Sequence, residues 1–161
     1  MENKNNQINV FDVAQFFVKK DQSINKTKIQ KLLYYAQGYY LAKYNKVLFQ
    51  ESIEAWPYGP VIPAVYAETL KQEFQKQNFQ LSSVSFDFSS KMTNLPLTDE
   101  QEKILYQVFK DFGHMSASQL SEQTHNESPW KDTYNTNKLY SNCPIPSAVL
   151  YSFFRNKKNN I

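Results

Sequence analysis

Apolar side chains recur at intervals of three and four residues along most of this chain, which is the spacing of amphipathic α-helices. Residues that cap helices or open their first turn mark where these helices begin. The predicted starts are Asn9, Asn25, Pro63, Thr98, Ser116, Pro129 and Pro146. Gly113 ends the fourth helix, and the third runs to about residue 77. Tyr66, Leu70 and Phe74 lie on one face of the third helix.

The pattern changes after Asn45. Residues 47–49 and 52–56 predict two short strands of a hairpin that turns at Gln50 and Glu51. Between residues 78 and 96, Phe86 and Phe88 alternate with polar residues, which fits either a short edge strand or an ordered loop. We therefore predict a mainly α protein: a single compact helical domain over 1–161 with a small β-hairpin, with 1–8 and 156–161 as disordered ends.

Composition narrows the class of protein. Lys and Arg exceed Asp and Glu by 18 − 15 = +3, too small an excess for a nucleic-acid footprint. The single Cys143 allows no internal disulfide and fits a reducing compartment. Residues 1–7 are polar and predict no signal peptide, and no window approaches the roughly 20 apolar residues of a membrane span. We expect a cytoplasmic protein without membrane contact.

Catalytic and metal chemistry has no support in the sequence. His125 and Glu127 suggest a metal or acid–base pair, but a metal site needs three or four ligands, and the other candidates are only His114 and Cys143. More simply, His125 makes a satisfied hydrogen bond at a helix end. The three glycines are too far apart to form a phosphate-binding loop. We predict no enzyme activity, no metal and no cofactor.

Residues 98–125 have the outline of a helix-turn-helix. The second helix offers Gln119 and Gln123 to bases, but it has no Lys or Arg and carries Glu122. The local basic cluster is elsewhere and consists of Lys26, Lys28 and Lys31, of which Lys28 and Lys31 are assigned to the polar face of the second helix. Nucleic-acid binding is therefore disfavoured, although a DNA-binding regulator of a mobile-element operon stays as the alternative.

Residues 53–63 are the most restricted part of the chain, with three prolines, a Trp and a Tyr. Pro57 and Pro60 fix their own backbone angles, and Gly59 between them can adopt a positive φ, so a rigid bend is predicted. Two interpretations stay open: a structural corner whose aromatic rings fill the core, or a preformed aromatic surface for a protein partner.

Three blocks of the sequence resemble one family. The first is residues 28–38 (KIQKLLYYAQG), the second is Leu48-Phe49 followed by residues 53–66 (IEAWPYGPVIPAVY), and the third is residues 118–130, from Ser-Gln-Leu-Ser through Thr-His to Pro-Trp. In this order they resemble the Panacea domain of SocA-like antitoxins, which also covers the GepA proteins of phages and genomic islands. The resemblance spans roughly residues 9–154.

This resemblance implies an antitoxin in the cytoplasm of a bacterium or phage-infected host. Such a protein would neutralise a cognate toxin by direct protein–protein binding, or as an adaptor that delivers the toxin to a protease. The toxin's identity and the oligomeric state stay open. Aromatic residues with polar handles are enriched at the centres of interfaces. The candidate partner-binding residues are Tyr34, Tyr35, Tyr39, Trp56, Tyr58, Gly59, Pro60, Tyr66, His125 and Trp130.

Overall fold

The computed structural model of the protein describes residues 7–78, 85–136 and 142–158. Within these ranges the helices are α1 (Val10–Lys20), α2 (Lys26–Tyr44), α3 (Pro63–Asn78), α4 (Asp99–Phe112), α5 (Ala117–His125), α6 (Ser128–Thr136) and α7 (Ser147–Lys158). The strands are β1 (Glu54–Trp56), β2 (Gly59–Val61) and β3 (Cys143–Pro144). The prediction of a mainly helical domain with a small β element is confirmed.

Local capping explains where several helices begin. Asn9 and Asn25 accept hydrogen bonds from the first-turn amides of α1 and α2. Thr98 and Ser116 form reciprocal capping boxes at the starts of α4 and α5. Gly113 follows α4 directly, as predicted, but with a right-handed backbone rather than the left-handed one common after helices. These ends are set by short-range chemistry, which is why the sequence pattern located them.

The long helix α2 is the centre of the core. It packs against α1, α3, α4, α5, α7 and β2, so it is buried on nearly every side of its middle turns. At Gly38 a Cβ atom would lie 2.2 Å from the ring of Phe154, so glycine permits the close approach of α7. Lys31, assigned from sequence to the polar face of this helix, is instead 1% exposed.

The hairpin forms further along the chain than predicted. Strand β1 pairs antiparallel with β2 on one side and β3 on the other, and Trp56 pairs with Gly59 across the turn. The predicted strand at 47–49 is wrong, because its backbone groups hydrogen-bond to the side chain of Gln37 instead of to a neighbouring strand. The Leu48 amide donates to Gln37 Oε1 (2.6 Å), and Gln37 Nε2 donates to the Phe49 carbonyl (2.8 Å).

Two other expectations need correction. Residues 85–88 form an ordered loop rather than an edge strand: Phe86 and Phe88 are buried, and the Phe88 amide donates to Gln15 Oε1 (2.7 Å). Ile8 is buried and α7 extends to Lys158, so the expected disordered ends are too long by these residues. Residues 1–6, 79–84, 137–141 and 159–161 lie outside the described part of the chain.

Candidate partner-binding site

The turn between β1 and β2 presents one aromatic ring to solvent. Pro57 and Tyr58 occupy the apex, and the Tyr58 side chain is 80% exposed. Gly59 has a φ of +113°, a conformation that residues with a Cβ rarely adopt. The predicted rigid bend is therefore present, and its tyrosine points outward.

A buried lysine supports this turn from below. Lys31 Nζ donates to the Pro60 carbonyl at 3.1 Å, and a Cβ on Gly59 would lie 2.9 Å from both Cε and Nζ of Lys31. Burial lowers the pKa of Lys31 to about 8. Of the candidate residues, Gly59 and Pro60 are thus buried backbone supports for Tyr58 rather than contact residues themselves.

The third block of the sequence folds against the turn. Trp130 is buried and its Nε1 donates to the Trp56 carbonyl at 2.7 Å. The imidazole of His125 stacks on the Trp130 ring with 4.2 Å between centroids, and Tyr134 stacks on the same indole at 4.7 Å. Of the two interpretations left open for the aromatic residues, burial in a structural corner applies to Trp130, whose indole supports the hairpin.

His125 is close to both the turn and Lys31. Burial, followed by the nearby charge of Lys31, lowers the pKa of this imidazole, while an interaction with the Tyr58 backbone opposes the shift. Its Nε2 atom is buried without a hydrogen-bond partner among the described residues. The expectation of a fully satisfied histidine is therefore wrong for this nitrogen.

Trp56 and Tyr66 extend the exposed aromatic surface from Tyr58. The Trp56 ring is half-buried, donates to Glu54 Oε2 (3.0 Å) and meets Tyr66 edge-on at 4.9 Å. Beyond Tyr66, the outer face of α3 exposes Leu70 and 65% of Phe74. We call Trp56, Tyr58 and Tyr66 the aromatic turn surface.

Tyr34 and Tyr35 do not belong to any surface. Both are fully buried, and their hydroxyls donate to Glu127 Oε1 at 3.3 and 3.0 Å. Lys157 Nζ completes the group by contacting Glu127 Oε2 at 3.0 Å. Burial raises the pKa of both phenols and of the Glu127 carboxyl, although Lys157 opposes the shift of Glu127. The expected exposed tyrosine face therefore does not include Tyr34 and Tyr35, because an internal carboxylate accepts both hydroxyls inside the core.

Tyr39 is separate from both groups. It is half-buried and donates to Asp111 Oδ2 on α4 at 2.8 Å. Its ring lines a groove between α2, α4 and α7 rather than the aromatic turn surface. The ten candidate residues therefore divide into a presented surface, a supporting layer, an internal hydrogen-bond network and this groove.

The side chains that the alternative function would use to bind DNA make contacts within the protein. The Gln119 side chain accepts the Ser116 amide in a capping box, and Gln123 Nε2 donates to the Tyr35 hydroxyl at 2.9 Å. Of the basic cluster, Lys26 pairs with Glu73 and Lys31 is buried. The side chains that would read bases or contact phosphates are engaged within the fold.

Residues 7–78, 85–136 and 142–158 contain no cluster of three or more His, Cys, Asp or Glu side chains arranged to hold a metal ion. Nor does any helix in these ranges combine the length and apolarity that crossing a membrane requires.

Sequence reasoning missed Lys31 and Glu127 as the polar anchors of the core. The signal for the first was available: no charged residue occurs between Lys31 and Lys43, so α2 is uncharged around its whole circumference for three turns. A lysine at the start of such a run can lie inside. Glu127 carried no comparable signal, because its partners lie 92 and 93 residues away in the chain.

Comparison with known proteins adds a family. The model of the family described as antitoxin SocA-like, Panacea domain, matches residues 29–131, a range that includes Lys31, the aromatic turn surface, His125 and Trp130. Antitoxin SocA of Caulobacter vibrioides (strain NA1000 / CB15N) is 30% identical over 118 residues, which cover 68% of this chain and 60% of SocA. No solved structure matches the chain.

Proposed function

The chain belongs to the antitoxin SocA-like Panacea-domain family, and we propose that it is an antitoxin that neutralises a toxin protein by binding it directly. Neutralisation in this proposal is stoichiometric and involves no chemical step. The observation that carries the proposal is the presentation of Tyr58 on a turn that the rest of the domain holds in place.

An exposed tyrosine on a rigid turn has the properties of an interface anchor. Tyrosine brings a large apolar ring and a hydroxyl with only two side-chain torsions to immobilise, and it is enriched where single residues dominate binding energy. At 80% exposure, the Tyr58 ring has most of its area available to a partner. Half-buried Trp56 and Tyr66 next to it would contribute the surrounding contact area.

The support below the turn lowers the entropic cost of binding. The Pro60 carbonyl accepts from Lys31, and Trp130 holds the Trp56 carbonyl. The Ile62 amide donates to Gln30 Oε1 at 2.7 Å, just beyond β2. A loop that is fixed before association loses little further freedom on binding. The buried residues below the turn, Trp130 among them, therefore stabilise the conformation that presents Tyr58.

The test is co-expression with the protein encoded by the adjacent gene, whose toxicity is first established alone. We expect Tyr58→Ala to abolish rescue of growth and to weaken binding of the purified proteins at least 30-fold, since removal of an interface anchor costs about 2 kcal/mol or more. Tyr106→Ala is the matched control, because Tyr106 is another exposed tyrosine, at 50%, but lies on α4.

Thermal unfolding of both variants checks that each is folded. A folded Tyr58→Ala protein that rescues growth and binds like the original chain would contradict the placement of the interface. If no toxic adjacent product binds the unaltered protein, the proposed antitoxin function itself is rejected.

A further inference from the structure

The groove that Tyr39 lines lies between helices that the aromatic turn surface does not use. Its volume is about 590 Å³, and it is formed by the C-terminal half of α2, the middle of α4 and the end of α7. The apolar lining includes Ala42, Ile104 and Phe154, and the last two are buried parts of the core. The groove therefore has a rigid apolar floor.

Three lysines from three different helices also line this groove: Lys43 on α2, Lys103 on α4 and Lys157 on α7. Lys157 is paired with Glu127, while its side chain keeps 40% exposure. Lys43 and Lys103 form no ion pair with any residue in the described part of the chain. Two positive charges thus flank the apolar floor without a negative partner of their own.

The acidic residues near the groove do not neutralise these two lysines. Asp111 is the carboxylate in the lining, and its oxygens accept from the Tyr39 hydroxyl and from Gln107 Nε2, both at 2.8 Å. Asp99, Glu100 and Glu102 are in the exposed first turn of α4 and make no ion pair with either lysine. Among the side chains that line the groove, three lysines therefore face the single carboxylate of Asp111.

We propose that this groove binds an acidic amphipathic segment of the toxin, with its apolar side chains on the floor and its carboxylates on Lys43 and Lys103. The proposal rests on the proposed antitoxin function and adds a second, chemically different contact to that of Tyr58. Charged groups at the rim set orientation and association rate, whereas the apolar floor contributes through area removed from water. An apolar partner segment without carboxylates would leave both lysines unpaired beside it.

The test uses the complex of the full chain with the adjacent-gene toxin. A carbodiimide cross-linker joins a lysine amine to a carboxylate only when the two are in contact, so mass spectrometry of the cross-linked complex identifies the pairs. We expect cross-links from Lys43 or Lys103 to Asp or Glu residues clustered in one toxin segment. We also expect the double variant Lys43→Glu/Lys103→Glu to bind at least tenfold more weakly.

Lys110→Glu is the matched control, because Lys110 is an exposed lysine of α4 outside the groove lining. We expect it to retain the original affinity within about threefold, and the loss in the double variant to shrink as salt screens the ion pairs. Unchanged affinity of a folded double variant, or a complex in which neither groove lysine cross-links, overturns this inference and leaves the antitoxin function standing. Absence of any complex with the unaltered chain rejects the antitoxin function and this inference with it.

Discussion

Replacement of Lys31 by methionine should change how stability depends on pH. Lys31 is 1% exposed, and burial lowers its pKa from 10.5 to about 8. Its hydrogen bond to Pro60 favours the ammonium form, but burial outweighs this contact. Methionine has a similar length and no charge, so Lys31→Met removes the titration with little change in volume.

The sign follows from proton binding in the two states. Below about pH 8 both states hold the proton, and the folded state carries the full cost of the buried charge. Between about pH 8 and 10.5 the unfolded chain binds more protons than the folded one, so the free energy of unfolding increases with pH. From about pH 7.5 to 9.5 the increase from this residue is about 2 kcal/mol.

The assay is urea unfolding at several values within that pH range. Measurements stay below about pH 10, because above it tyrosines ionise in the unfolded chain. Burial raises the pKa of Tyr34 and Tyr35 in the folded state, so this ionisation would destabilise the fold and mask the effect of Lys31. We expect the unaltered protein to gain about 2 kcal/mol relative to Lys31→Met. Lys71→Met, which removes a 58% exposed side chain, should follow the unaltered protein. Parallel curves for the unaltered protein and Lys31→Met, within about 0.5 kcal/mol, would refute the reasoning.

Three other substitutions test the packing that supports the site. Glu127→Ala leaves two buried tyrosine hydroxyls without their acceptor and should lower the free energy of unfolding in urea by about 3 kcal/mol; a loss below about 1 kcal/mol would contradict the network. Gly38→Ala places a Cβ 2.2 Å from the Phe154 ring, so we expect a fall of about 5 °C in Tm, and an unchanged Tm would mean that α7 packs more loosely. Trp130→Phe removes the donor to the Trp56 carbonyl and should speed hydrogen exchange of the β1 and β2 amides. Unchanged exchange would mean that the stability of the hairpin does not depend on this bond.

Short-range features of the sequence determined most of the secondary structure. Asn9, Thr98 and Ser116 cap helices through atoms three residues away or fewer, so no distant contact is needed to place these starts. Likewise, the positive φ of Gly59 between two prolines is a local property, and the bend was predicted from these residues alone. The family resemblance was likewise visible in short blocks of the sequence.

Tertiary structure alone decided which aromatic residues are presented and which are buried. Between Lys31 and Lys43 no face of α2 carries a charge, and burial of Tyr34 and Tyr35 depends on α4, α5 and α7 packing around them. The same holds for the hairpin register, because the backbone at 47–49 is satisfied by Gln37 from α2 and leaves strand pairing to residues 54–61. A buried backbone or hydroxyl group forms its hydrogen bond with a partner that the packed core brings close, and here those partners are distant in sequence.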